Sequence, residues 1–391
     1  MSSVTLLPTR AGHTRGARLP FGLLRDLERP ADLFRHLGPN WYASVMGTGI
    51  VANAAGTLPV RVTGMRTAAT VVWALAGLLL VTLTAARSVH WTRHRPEARA
   101  HAAHPVMAHF WGAPAMALLT VGAGTLTLGR DWIGLPAALA VDVVLWSAGT
   151  LLGLVTSVLI PYRMMSRHTF AADAAFGGWL MPVVPPMVSA STGALLVPYA
   201  TAGQGRLTLV LACYAMFGVS VFAALLIIAQ IWTRLVHHTV GPAAMVPTLW
   251  IVLGPLGQSV TAANQLGGVA ALALPAPYAA AARAFGLLYG LPTWGFAMAW
   301  TALAATVTVR TVREHLPFSL TWWSFTFPVG TCVTGTSALA ALTGSVALQI
   351  TAVILYACLV AAWLTVALRT AASGARGTLF LPPPPAARPS S

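Results

Sequence analysis

The sequence predicts an all-α polytopic membrane protein: ten transmembrane helices forming five helical hairpins around a central pore. Three observations predict the spanning helices, and the Gly and Pro breakers described below predict their arrangement. The composition is 57% hydrophobic and only 8% charged, with mean hydropathy +0.74, whereas soluble domains carry roughly 25% charged residues. Runs free of Asp, Glu, Lys and Arg recur along the chain, each near the span of about 20 apolar residues that crosses a bilayer. All 23 basic residues are arginine, and they fall in short connections. That pattern makes the +15 net charge a topology signal and not a nucleic-acid footprint.

Residues 1–38 hold six arginines and read as a flexible, basic cytoplasmic arm. Its end, DLFRHLGPNW, has the pattern of a short amphipathic segment on the membrane surface. The arm contains no long apolar run, so no signal peptide is expected. The transmembrane domain covers 39–370, with helices near 41–58, 67–86, 105–127, 136–160, 177–199, 207–231, 244–270, 283–308, 318–342 and 346–368. Residues 235–282 have room for one helix with loops or for two. With one helix, both termini share a side that carries 18 arginines against 5, and with two the split is 14 to 9. The positive-inside rule prefers the first, with both termini cytoplasmic. Residues 371–391, ending LPPPPAARPSS, are expected to form a disordered Pro-rich cytoplasmic tail. Cys213, Cys332 and Cys358 all lie in apolar segments and suit buried thiols better than a disulfide framework.

The odd-numbered helices share breakers that most even ones lack. They carry Met46-Gly47-Thr48-Gly49, Trp111-Gly112-Ala113-Pro114, Met181-Pro182 with Pro185-Pro186 and Ser189, Gly254-Pro255, and Phe327-Pro328. Broken backbone at membrane depth is tolerated only inside protein or along a wet cavity. Weak internal repeats with interrupted helices mark transport sites. Gly and Pro are also common in membrane helices as packing residues. Near alternation across five helices favours the first reading, a central path lined by Gly47, Thr48, Gly49, Gly112, Pro114, Pro185, Ser189, Gly254, Pro255 and Pro328.

Fixed charge along that path is scarce. Asp142 is the only Asp, Glu, Lys or Arg well inside an expected span, and with His109 it is a candidate for proton coupling. The other reading of Asp142 is a carboxyl with water access or a hydroxyl partner. His90, His94, His101, His104 and His109 lie close in sequence, and His90 and His94 have helical ligand spacing. Further ligands in kind would be His237, His238 and Glu314. Most of these histidines sit among Arg87, Arg93, Arg95 and Arg99, where positive charge opposes a divalent cation. No metal or other cofactor is expected. The sequence shows no phosphate loop, nucleotide motif or nucleophile–base pair, which argues against an ATP-driven pump and against an enzyme.

Leu316 to Thr334 reads LPFSLTWWSFTFPVGTCVT, inside a stretch with no Asp, Glu, Lys or Arg from His315 to Leu368. A proline in a buried helix removes a backbone hydrogen bond and kinks the helix. Phe327 beside Pro328, followed by Gly330, Thr331 and Thr334, has the pattern of a helix lining a route that the ring obstructs. The competing reading is aromatic packing around a kink.

GPNWYASVMGTGIVANAAGTLP (38–59), His104-Pro105, LGPLGQS (253–259) and TWWSFTFPVGT (321–331) resemble the tellurite-resistance/dicarboxylate transporter family. That family contains bacterial tellurite-resistance membrane proteins, fungal malate permeases and sulfite efflux pumps, and plant guard-cell slow anion channels. The resemblance covers roughly 38–370. It implies odd helices around a pore, homotrimers with one pore per protomer, and a pore-occluding phenylalanine, by motif Phe327. It also implies a secondary transporter or channel-like permease of the plasma membrane, exporting small anions, with C4-dicarboxylates such as malate or sulfite expected first. An uncoupled chloride or nitrate channel and a histidine-box membrane enzyme are the alternatives.

Overall fold

Long apolar stretches without breakers give long rods, and stretches interrupted by Gly or Pro give composite helices. The computed structural model shows both kinds; it describes residues 23–27, 29–60 and 62–381. Most of the expected basic arm (1–22) and the end of the expected tail (382–391) lie outside the described residues. The α-helices are α1 (Tyr42–Thr57), α2 (Met65–Arg93), α3 (Arg95–Ala103), α4 (Gly112–Gly124), α5 (Arg130–Ile133), α6 (Leu135–Arg167) and α7 (Pro185–Leu196). They continue with α8 (Gln204–His238), α9 (Leu253–Val269), α10 (Ala276–Leu288), α11 (Gly290–Arg313), α12 (Phe327–Thr343) and α13 (Val346–Arg376). Among the described residues there is no strand. Cys213 and Cys332 are buried as expected, but Cys358 is exposed, on the outer helix α13.

Seven segments are long and apolar enough to cross a membrane: Met65–Arg93, Met107–Ile133, Leu135–Arg167, Gln204–His238, Ala243–Leu272, Leu320–Thr343 and Val346–Arg376. The other three expected spans are shorter or interrupted. The first, α1, has 16 residues, about 24 Å at 1.5 Å per residue. The second, 177–199, is built of short pieces around α7. In the third, α10 gives way to α11 at Tyr289. Residues 244–270 form one composite rod, the one-helix alternative that the arginine pattern preferred.

Helix contacts sort the rods into two layers. α1 packs on α4, α4 on α7, α7 on α9, α9 on α12, and α12 back on α1, which closes an inner ring. Outside it, α2 covers α1, α6 covers α4, α8 covers α7, α10 and α11 cover α9, and α13 covers α12. Three segments that contribute to the ring, Met107–Ile133, Ala243–Leu272 and Leu320–Thr343, have 78–89% of their most apolar stretch buried, against 17–33% for four outer ones. An apolar helix that is exposed on one side must meet lipid there. The chain is therefore a polytopic membrane protein with the breaker-bearing helices inside.

The prolines do not kink continuous helices as the sequence suggested. Tight 3-10 turns, Met107–Trp111, Gly177–Leu180, Ala243–Val252 and Leu320–Phe325, precede α4, α7, α9 and α12. Pro185, Pro186 and Pro328 then fall in the first α-helical turn, where a missing N–H removes no intrahelical bond. The breaker marks a change of helical pitch.

The segment near Phe34 packs against the end of α2. Its Phe34 carbonyl faces His90 Nδ1 at 2.8 Å, the Arg87 guanidinium donates to the Leu37 carbonyl, and Leu37 is buried. The expected tail boundary also shifts. α13 continues to Arg376 and ends at Gly377, whose φ of 93° is left-handed. Phe380 then stacks on Trp41 with centroids 5.0 Å apart. Leu24 N–H donates to the Ala375 carbonyl at 2.7 Å, so both ends of the described chain pack together.

Candidate functional site

Inside the ring, two cavities abut one aromatic side chain. The first, about 20 Å³, is lined by apolar groups including Met46, Phe110, Ile251, Gly254, Pro328 and Phe327. The second, about 130 Å³, is lined by Asn53, Thr120, Ser191, Thr261, Thr334, Gln258 and again Phe327, among others. Phe327 is 2% exposed and, among the described residues, is the only one common to both linings. Its ring thus stands between an apolar narrowing and a polar chamber.

The polar chamber has an order that was present in the sequence and missed. Asn53, Thr120, Ser191, Thr261 and Thr334 each lie six residues after a breaker: Gly47, Pro114, Pro185, Pro255 and Pro328. α4, α7, α9 and α12 carry the breaker proline in their first turn, while Gly47 lies inside α1; packed in a ring, the five helices bring these positions to one cavity. Asn53 donates to the Thr120 carbonyl at 3.0 Å, Gln258 donates to Ser191 Oγ, and Thr261 and Thr334 share a 2.7 Å hydroxyl contact. The recurring offset of a polar group from the breaker was the available signal.

The residues expected to line the path divide clearly. Gly254 and Pro328 line the narrow cavity beside Phe327. Thr48 accepts from Trp363 Nε1 of α13 at 3.1 Å, and Ser189 accepts from Thr150 of α6 at 2.9 Å, so both face the outer layer. A Cβ on Gly47 would stand 2.3 Å from Thr326 Oγ1, one on Gly49 2.8 Å from Thr120, and one on Gly112 1.8 Å from the Met181 carbonyl. These glycines are close-approach contacts between neighbouring segments. Pro185 meets Gly153 of α6, and Pro114 and Pro255 are buried within α4 and α9. The aromatic motif also splits. Trp322 Nε1 donates to Pro317 at 2.9 Å under the Arg369 guanidinium, Trp323 donates to Thr370 at 3.1 Å while its ring borders the narrow cavity, and Phe327 lines both cavities.

Asp142 is fully buried between α6 and α4, where a Cβ on Gly122 would come within 2.5 Å of its Oδ1. Neither of its carboxyl oxygens has a partner among the described residues. His109 is also buried, with Nε2 3.1 Å from Met164 Sδ and its ring stacked on Trp179. Neither residue lines the two cavities beside Phe327. The histidine run divides as well. His104 Nδ1 accepts from Val106 and Met107 N–H and caps the turn into Met107–Trp111. His90 and His101 stack at 5.4 Å. Burial, followed by the nearby His90, Arg87, His36 and His104, lowers His101 to about 4.

Electrostatically the chamber is almost neutral. Arg66, at its edge, pairs with Asp131 at 2.6 Å, and the rest of the polar lining is uncharged, with the Thr120, Ser191, Thr261 and Thr334 hydroxyls donating to carbonyls of their own helices. Such groups solvate an ion weakly and release it easily. An inner ring with an aromatic between two cavities, sheathed by lipid-facing helices, is the architecture of a membrane transport protein.

Comparison with known proteins gives the family. The SLAC1 family, described as voltage-dependent anion channel, matches residues 36–371. The chain belongs to this family of anion transporters and channels, the one its motifs pointed to. An uncharacterised transporter of Methanocaldococcus jannaschii is 28% identical over 315 residues, 80% of this chain and 86% of that relative. Sulfite efflux pumps of Arthroderma otae and Trichophyton rubrum are each 28% identical over 313 residues, 76% of this chain and 80% of each relative.

Proposed function

We propose that the protein is a channel-like permease that exports a small oxyanion, sulfite before malate, across the plasma membrane. Phe327 is its gate, and Asn53, Thr120, Ser191, Thr261 and Thr334 form the polar ring beyond it. The observation that carries this reading is the position of Phe327 between an apolar narrowing and an uncharged polar chamber. A C4-dicarboxylate carries two separated charges and calls for two cationic partners. The chamber offers only Arg66, already held by Asp131, which favours the smaller anion. The fungal sulfite efflux pumps among its relatives support the same choice.

The arginine distribution favours cytoplasmic termini, and the family resemblance favours homotrimers. The inside-negative potential drives each unit charge outward by about 2.3 kcal/mol per 100 mV. Asp142 and His109 remain the candidates for proton coupling. They would act through α4, since Asp142 lies against it and His109 sits in the turn that leads into it.

Flux in proteoliposomes loaded with sulfite, malate, nitrate or chloride tests the reading. Sulfite is expected to leave faster than malate. Faster malate flux, or none with sulfite, would overturn the substrate assignment. Comparable chloride and nitrate flux with no preference for sulfite would favour the uncoupled channel.

A further inference from the structure

A pocket of about 370 Å³ lies away from the central ring, between the end of α2, α3, the turn Met107–Trp111 and the end of α6. Three guanidiniums line it, those of Arg99, Arg163 and Arg167, and its walls include Trp91, Ile160 and Met164. Among the described residues, no Asp or Glu lines it. Among the described residues, none of the three arginines has a carboxylate within ion-pair distance. Arg163 spends one Nη1 on the Ala102 carbonyl at 3.4 Å, which leaves the rest of its fork available. Three like charges at one pocket repel each other, and an anion held among them relieves that repulsion.

α6 supplies the apolar side, as the other lipid-facing helices do along their own lengths. Leu151, Val155, Val158 and Tyr162 are 67%, 47%, 70% and 62% exposed. Their spacing of four, three and four puts them on one face of the helix. This apolar stripe rises about 16 Å at 1.5 Å per residue, close to the roughly 15 Å of one leaflet of hydrocarbon. It ends beside Arg163. A soluble anion has no use for such a stripe, whereas an acyl chain does.

We propose that this pocket binds an acidic phospholipid, with its phosphate among Arg99, Arg163 and Arg167 and an acyl chain along the exposed face of α6. Basic pockets between transmembrane helices at the membrane boundary take acidic headgroups in this way. The inference does not depend on which anion the central path carries.

Native mass spectrometry of the detergent-purified protein tests it, with phosphatidylglycerol, phosphatidylcholine, inorganic phosphate and glycerol phosphate as probes. Phosphatidylglycerol should be retained in preference to phosphatidylcholine, and neither soluble phosphate should displace it. Arg99→Gln, Arg163→Gln and Arg167→Gln together should weaken retention about a hundredfold, taking roughly fivefold per arginine. Should that variant fail to fold, Ala103→Trp decides, because it fills the pocket from an exposed lining position and keeps every charge. Equal retention of the two lipids, displacement by soluble phosphate, or wild-type retention in Ala103→Trp would overturn the proposal.

Discussion

Gly254 and Phe327 line the same narrow cavity, and among the described residues outside its own turn of α9 nothing stands within 4 Å of the place a Cβ on Gly254 would occupy. An aromatic ring confined on most sides thus adjoins one empty position. Swinging the ring about 30° off its rotamer would cost roughly 0.5–1.5 kcal/mol, small enough to be crossed thermally. Phe327→Ala is expected to raise anion conductance severalfold with little change in selectivity, read as single-channel or liposome current. Phe325→Ala should do much less, because Phe325 packs edge-on against Trp250 and Trp322. Wild-type conductance in a folded Phe327→Ala variant would reduce the ring to packing.

If the ring opens toward Gly254, a branched side chain there should block it. Gly254→Val is expected to lower conductance in the wild-type background. Combined with Phe327→Ala, it should cancel much of the gain. Additive effects in the double variant would show that the two positions do not share a path.

The polar ring makes a separate prediction about substrate. Thr334→Val keeps the shape of the side chain and removes one hydroxyl of the 2.7 Å contact with Thr261. A hydrogen bond of about 1 kcal/mol corresponds to about fivefold in equilibrium. Sulfite flux should therefore fall by about that factor. The fold gain from Phe327→Ala should survive, since gate and chamber are different parts. Unchanged flux would remove Thr334 from the path.

Ring closure should be sensitive to the glycines that permit it. Gly112→Ala would place a methyl 1.8 Å from the Met181 carbonyl, and backbone cannot move aside as a flexible side chain can. We expect a marked drop in melting temperature or loss of folded protein by fluorescence size-exclusion. Gly295→Ala in α11, with nothing within 4 Å, should be neutral or stabilising by up to about 1 kcal/mol from helix propensity. Equal effects at the two sites would contradict the close approach.

His101 carries a pH dependence with a definite sign. Its folded value of about 4 lies below the ordinary 6.5 because of burial and the adjacent His90, Arg87, His36 and His104. Between those values the unfolded chain binds more protons, so stability falls with falling pH. The contribution is complete above pH 6.5 and is lost progressively toward pH 4. Hydrogen exchange at Phe34–Leu37, which rests on α2 beside this cluster, should accelerate over that interval. His101→Gln should flatten the profile, and an unchanged profile would place the titration elsewhere.

The sequence by itself determined the membrane class, the helical character and which rods lie inside. Those properties follow from composition and from period, and they need only short stretches of neighbouring residues. Breakers at Gly47, Pro114, Pro185, Pro255 and Pro328 separated inner helices from outer ones because irregular backbone in a bilayer must be shielded by protein. The motif also singled out Phe327. What each breaker does was decided by tertiary structure. Thr48 and Ser189 look like lining residues, yet they spend their hydroxyls on α13 and α6. Gly112 looks like a gap, yet Met181 fills it. Which side of a helix faces the pore depends on its rotation, and five neighbours in a closed ring set that rotation together. The polar ring formed by Asn53, Thr120, Ser191, Thr261 and Thr334 becomes visible only after that closure, because no two of these residues are near in sequence.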